Sequence, residues 1–212
     1  MNYRHGFHAG NFADVMKHAL LARIISHLCV KDTPFRVIDL HGGAGLYDLA
    51  STEAMRTGEW RDGIGRLDTP LPEFAEALLA PYRAAIAAAR ALNGPNAYPG
   101  SPLIARFLMR RQDRILANEL QREARKALEA ALANDRRCKL LGLDASIALR
   151  ANIPPPERRG LVLVDPPFEK RDEFASLVED IAAAYAKWPT GIYAIWHPVK
   201  EPKLVDGFIA AL

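Results

Sequence analysis

Gly160-Leu161-Val162-Leu163-Val164-Asp165-Pro166-Pro167-Phe168 is an apolar run that ends on an acid, two prolines and an aromatic ring. The five residues before Asp165 do not alternate with polar ones, which is the pattern of a strand buried on both faces of a parallel sheet. Neither proline has an N–H to give to a ladder, so the strand stops and Asp165 is left at its carboxyl end. Open α/β sheets bind their ligands at that end. An acid, a rigid corner with a free carbonyl at Pro166 and a flat ring at Phe168 suit a flat base carrying an amino group: acceptors for its N–H protons and a face to stack on. From these residues alone, a strand ending in an ordinary Pro-Pro turn is the alternative.

Four further segments read as strands of the same sheet. Residues 35–40 follow Pro34 and run into His41-Gly42-Gly43-Ala44-Gly45, a glycine-rich turn of the kind that brings backbone N–H groups close to a nucleotide-like ligand. The turn holds only part of a dinucleotide fingerprint. Residues 114–117 end in Asn118-Glu119, residues 139–143 end in Asp144-Ala145, and residues 191–196 stop at His197-Pro198. Three successive strands thus end in Glu119, Asp144 and Asp165. Any one of these acids would serve as a helix cap, but the series after a glycine turn suits a ligand with a ribose, an adenine amino group and a reacting partner.

Between the strands the periodicity is helical. It starts near Asp14, a candidate cap, with Val15, Leu20, Leu21, Ile24, Ile25 and Leu28 on an apolar stripe. Residues 73–92 are alanine-rich, with Pro81 marking a kink or a boundary between two helices. The rigid turn Tyr98-Pro99-Gly100-Ser101-Pro102 precedes a helix over 103–111, and further helices fit 121–133, 146–152 and 172–187. Residues 46–112 contain no convincing strand and exceed what a βαβ crossover needs. They read as a helical insertion subdomain between strands one and two of an α/β domain formed by residues 1–45 and 113–212.

Half of the 212 residues are hydrophobic and a quarter charged, as in soluble globular proteins. The longest apolar runs fall far short of the roughly 20 residues of a membrane span. The opening residues form no secretory signal, and two distant cysteines, Cys29 and Cys138, suit a reducing cytoplasm. The net charge of +3 does not by itself demand a nucleic acid. Basic residues nevertheless recur near the element ends, Arg106, Arg110, Arg137, Lys170 and Arg171 among them, and would make a phosphate-binding face if clustered. The alternative is solvated helix faces. His5, His8 and His18 lack a Cys or carboxylate at ligand spacing, so a polar lid over a pocket is expected rather than a metal site.

The order glycine turn, Glu, Asp, Asp-Pro-Pro-aromatic resembles S-adenosylmethionine-dependent methyltransferases that act on an exocyclic amine. Tyr3-Arg4-His5-Gly6-Phe7-His8-Ala9-Gly10-Asn11, Tyr98-Pro99-Gly100-Ser101-Pro102 and Gly191-Ile192-Tyr193-Ala194-Ile195-Trp196 resemble the RlmJ (YhiR) family, which methylates N6 of one adenine in bacterial 23S ribosomal RNA. The likeness extends over essentially the whole chain. It implies a Rossmann-like class I methyltransferase sheet with helices on both faces, and S-adenosylmethionine as cofactor. By the same resemblance His18, His41, Ser101, Glu119, Asp144, Ala145 and Asp165 contact the cofactor, and Asp165 is catalytic. The resemblance also implies that Tyr3 meets the substrate; Lys17, beside His18, is expected to help position either ligand, and Pro166 and Phe168 are the corner expected to hold the substrate base. Phe168 stands where the family has tyrosine, Gly42 where it has alanine and Ala145 where it has glycine. The implied partner is 23S ribosomal RNA, naked or at an early stage of assembly, met by a monomer. Sheets of this type carry two more strands after the fifth, whereas here Leu212 ends in a helix, so the expectation is a longer natural chain with those strands. A DNA adenine methyltransferase would share every motif, and a non-enzymatic nucleic-acid-binding module on the same fold is the remaining alternative. A nicotinamide dehydrogenase is disfavoured by the incomplete glycine fingerprint and the Pro-Pro corner.

Overall fold

The computed structural model describes residues 5–168, 173–199 and 202–212. Five strands form one parallel sheet: β1 (Arg36–Asp39), β4 (Arg114–Asn118), β5 (Cys138–Leu141), β6 (Gly160–Val164) and β7 (Ile192–Ile195), in the order β5-β4-β1-β6-β7. Their apolar residues alternate between two buried faces. Val37, Ile115, Leu161 and Leu163 join one core with Leu21, Ile25, Tyr82 and Ile104, which come from α1 (Phe12–Cys29), α3 (Glu73–Asn93) and α4 (Ser101–Leu108). Ile38, Leu40, Leu116, Val162 and Val164 face the other way, against α6 (Ala145–Asn152) and α7 (Glu173–Lys187). Burial on both sides is why these strands read as continuous apolar runs. Helices α5 (Arg122–Leu132) and α8 (Pro202–Ala211) complete the sheet's surround, with Leu128 and Leu132 packed on Leu103 and Ala117. The doubly wound α/β fold expected from the sequence is therefore present.

Gly160 is required where β6 enters the sheet. Its φ is +156°, and a Cβ there would lie 1.9 Å from the Arg36 carbonyl oxygen of β1, its partner in register. No side chain fits.

Four expectations are corrected. Residues 46–112 do contain strands: β2 (Leu46–Asp48) pairs antiparallel with β3 (Ala97–Pro99), Tyr47 opposite Tyr98. Segments of three residues carry too little alternation to be seen in sequence. Helix α3 runs without a break through Pro81, which does not divide it; the short α2 (Thr52–Thr57) precedes it. Helix α1 is capped by Asn11, whose side chain accepts from Asp14 N–H at 2.9 Å, because Asp14 is turned into the protein. Leu20, assigned to the apolar stripe, is 54% exposed.

Candidate active site

The chain leaves β1 toward β4 and β5 on one side, then returns to β6 and β7 on the other. The reversal opens a crevice between the carboxyl ends of β1 and β6, the place where such sheets bind ligands. A cleft of about 1040 Å³ lies there. Its lining includes His18, His41, Ser101, Glu119, Asp144, Ala145, Asp165, Lys17, Pro166 and Phe168, every site residue expected from the sequence that falls within the described chain. Tyr3 lies outside the described residues, as do Lys170 and Arg171.

Each side of the crevice is held by hydrogen bonds that cross between strands. Asn118 is buried at the end of β4; its amide donates to the Leu40 carbonyl at 3.1 Å and the Leu143 carbonyl at 2.9 Å and accepts from Leu143 N–H at 2.9 Å. One side chain thus ties together the ends of three strands. Glu119, the next residue, accepts from Gly43 N–H at 2.8 Å and from Gln121 N–H at 2.7 Å. The first bond fixes the glycine turn, where Gly43 has φ +59° and a Cβ would meet the Tyr47 hydroxyl at 2.4 Å. Asp144 is the cap of α6: one oxygen, Oδ1, accepts from Ser146 N–H at 2.9 Å and Ile147 N–H at 3.3 Å, and Oδ2 has no donor among the described residues. Capping and ligand binding are compatible in one carboxylate because it has two oxygens.

Across the crevice, Asp165 N–H donates to His41 Nδ1 at 3.2 Å, so the ring carries its proton on Nε2. Burial lowers the His41 imidazole to about 4 and keeps it neutral. The Asp165 carboxylate is gripped through Oδ2 by the ammonium of Lys17, which also pairs with Asp14 at 3.3 Å. Asp14 in turn accepts from Gly10 N–H at 3.0 Å and meets His5 at 3.0 Å. Burial alone would lower the Lys17 ammonium, but Asp14 and Asp165 outweigh it and raise the group above its ordinary value. Burial would likewise raise Asp14, yet His5, His18 and Lys17 hold its carboxyl well below the usual range. Phe168 takes a left-handed backbone, φ +49°, with its ring 4.6 Å from that of Phe174 on α7.

Two parts of the site were missed in the sequence. The Lys17–Asp165 pair joins residues 148 apart, which no local pattern reveals. Asp39 was read as one more strand residue. It is 1% exposed beneath the glycine turn; Oδ1 accepts from His41 N–H at 3.1 Å and Oδ2 is buried with no hydrogen bond among the described residues. Burial pushes its carboxyl up to about 6 against the opposing pull of Ser101 and His41 N–H. An acid at the end of a first strand, just before a glycine turn, was the available signal. Some of the basic residues grouped as a phosphate-binding face serve another purpose. Arg106 and Arg137 both pair with Asp135, and Arg110 pairs with Asp113.

An open parallel sheet with acids at the ends of neighbouring strands and a glycine turn at the switch point defines a Rossmann-like methyltransferase fold. The family described as ribosomal RNA large subunit methyltransferase D, RlmJ, matches residues 32–212. Ribosomal RNA large subunit methyltransferase J of Escherichia coli K12 is 42% identical over 201 residues, 94% of this chain and 70% of that protein. The Haemophilus influenzae protein of the same name is 40% identical over the same shares. The crystal structure of protein LPL1258 from Legionella pneumophila, of the DUF519 family, superposes with a TM-score of 0.82 at 32% identity, over 96% of this chain and 74% of that one. The chain belongs to the ribosomal RNA large subunit methyltransferase J family and is a methyltransferase. Among the described residues no helix is long and apolar enough to cross a membrane, and no group of three or more His, Cys, Asp or Glu is placed to hold a metal ion.

Proposed function

We propose that this chain transfers a methyl group from S-adenosylmethionine to N6 of one specific adenine in 23S ribosomal RNA. The observation that carries the reading is the meeting of two half-sites in one cleft: Glu119 and Asp144 from β4 and β5, and the Asp165-Pro166-Pro167-Phe168 corner from β6. The residues fit the cofactor. Glu119 suits ribose hydroxyls, the unoccupied Oδ2 of Asp144 suits an adenine amine, and the glycine turn with His18, His41 and Ser101 suits an amino-acid end. Ala145, the first residue of α6, leaves room for the adenine ring.

S-adenosylmethionine supplies an electrophilic sulfonium methyl group when bound. The protein's task is to make a poor nucleophile attack in line. Asp165 Oδ1, which has no donor among the described residues, accepts one N6 proton, and the Pro166 carbonyl accepts the other. These acceptors draw the amine toward tetrahedral geometry and free its lone pair. Lys17, holding Oδ2, fixes the plane of the carboxylate. The released proton leaves through Asp165 to solvent. Phe168 and Tyr3 lend ring faces to the extruded base, whose removal from a helix costs a few kcal/mol and least in unpaired RNA. Residues 46–112, mainly helical with the β2–β3 pair, act as an insertion that shapes the mouth of the cleft. The protein works as a monomer in the cytoplasm, on RNA that is naked or early in assembly.

The test is incubation with methyl-labelled cofactor and, in parallel, protein-free 23S RNA and duplex DNA. Label is expected in RNA, recovered as N6-methyladenosine from a single site. Label confined to DNA would overturn the substrate, and label in neither would overturn the activity.

A further inference from the structure

Beneath the cleft a polar chain runs from α3 through β3 to α1. The Tyr82 hydroxyl lies 2.9 Å from the Tyr98 hydroxyl, which lies 2.8 Å from His18 Nδ1. Tyr82 and Tyr98 have no exposure and His18 1%, so water is not an alternative partner for the hydroxyls. Burial lowers the His18 imidazole to about 3, so the ring is neutral and carries a single proton. Each buried donor needs an acceptor. If His18 donated from Nδ1 to Tyr98, Tyr98 would donate to Tyr82, and the Tyr82 proton would have no acceptor among the described residues. In the opposite polarity Tyr82 donates to Tyr98 and Tyr98 donates to His18 Nδ1, and every hydroxyl proton is used. The imidazole proton then sits on Nε2, which has no protein partner among the described residues, on a ring that lines the cleft.

We infer that Tyr82 and Tyr98 are positioning residues that lock His18 in its Nε2–H tautomer, so that it presents a hydrogen-bond donor to the carboxylate of the cofactor's amino-acid end. The choice of acceptor rests on the function proposed above; the tautomer does not. Tyr82 belongs to the helix that follows the glycine turn by some thirty residues and makes no approach to the cleft itself. Its effect on cofactor binding is transmitted through two hydroxyls.

The experiment is long-range proton–nitrogen correlation spectroscopy on the full chain with labelled histidine, recorded without cofactor, His18 being assigned by the loss of its signals in His18→Gln. The parent protein is expected to show Nδ1 as the bare nitrogen and Nε2 as the protonated one. Tyr82→Phe removes the terminal proton that dictates polarity and is expected to give a mixture of tautomers; Tyr98→Phe removes the donor to Nδ1. Either variant is expected to raise the KM for S-adenosylmethionine about tenfold, the effect of one hydrogen bond to a charged group, with kcat within about twofold of the parent. Tyr82→Phe deletes one hydroxyl and keeps the ring, so it folds even if Tyr98→Phe does not. An Nδ1–H tautomer in the parent would overturn the inference, as would a Tyr82→Phe protein with the parent's tautomer and KM. No binding of the cofactor to the parent by calorimetry would overturn the functional reading and the choice of acceptor, with the tautomer still read independently.

Discussion

The ammonium of Lys17 grips the carboxylate of Asp165 across 148 residues of chain. The pair sets one oxygen of the acid and leaves the other to face the cleft.

Lys17→Met strands two carboxylates, those of Asp14 and Asp165, next to an apolar side chain. Breaking a buried pair on one side costs roughly 3 kcal/mol, and urea denaturation should show a loss of that size. Methyl transfer should fall about a hundredfold, as expected when positioning is lost. Adding Asp165→Asn should recover part of the stability, with a coupling above about 1 kcal/mol in the double-mutant cycle. Additive losses would mean that the pair contributes nothing.

Asp165→Ala should keep cofactor affinity within a fewfold by calorimetry, because Glu119, Asp144 and the glycine turn are untouched. Turnover on 23S RNA should drop by about 10³, the range for loss of a preorganised transition-state contact. Retained turnover would assign the amine's acceptor elsewhere.

Asp39 gives a pH signature. Its carboxyl sits at about 6 when folded, raised by burial from its ordinary 3.8. Between those values the folded chain holds more protons than the unfolded one, so this stability is full below about pH 4 and is lost as pH rises through 6. Asp39→Asn stays neutral and keeps an acceptor for His41 N–H. Its stability relative to the parent should rise across that window by about 3 kcal/mol and then level off. His18 and His41 act in the opposite sense: their neutral rings stabilise above about pH 6.5 and that contribution is lost as pH falls through 4 and then 3. Chemical denaturation of variant and parent at pH 4, 6 and 8 isolates the Asp39 part, and a flat difference would contradict it.

Gly160→Ala places a Cβ against the Arg36 carbonyl, where only a backbone shift relieves the contact. The expected loss exceeds about 3 kcal/mol, with β1–β6 pairing disturbed. A midpoint within two degrees of the parent would show that the strand entry yields.

The five strands of the sheet, and the acids after three of them, Glu119, Asp144 and Asp165, were legible because burial on both faces writes itself as apolar runs, and because prolines, glycines and acids punctuate them. Strand ends differed by one or two residues, as for residues 139–143 against Cys138–Leu141. What escaped reading depends on partners distant in sequence. Tyr47 and Tyr98 pair through three-residue strands, Lys17 reaches Asp165 on the far side of the sequence, and Arg106 looks like surface charge until Asp135 is seen beside it. Asp14 sits where a cap would sit, but the cap is Asn11, and the difference lies in the direction of two side chains.

The strand order separates two tasks along the chain. Beyond α4, the acids proposed for the methyl donor arrive first, on β4 and β5, and the corner proposed for the acceptor arrives afterwards, on β6. Apart from the amino-terminal Tyr3 and from α1, which reaches over with Lys17, the two sets do not interleave. Substitutions confined to residues 165–168 would therefore alter the proposed acceptor corner while leaving Glu119 and Asp144 in place.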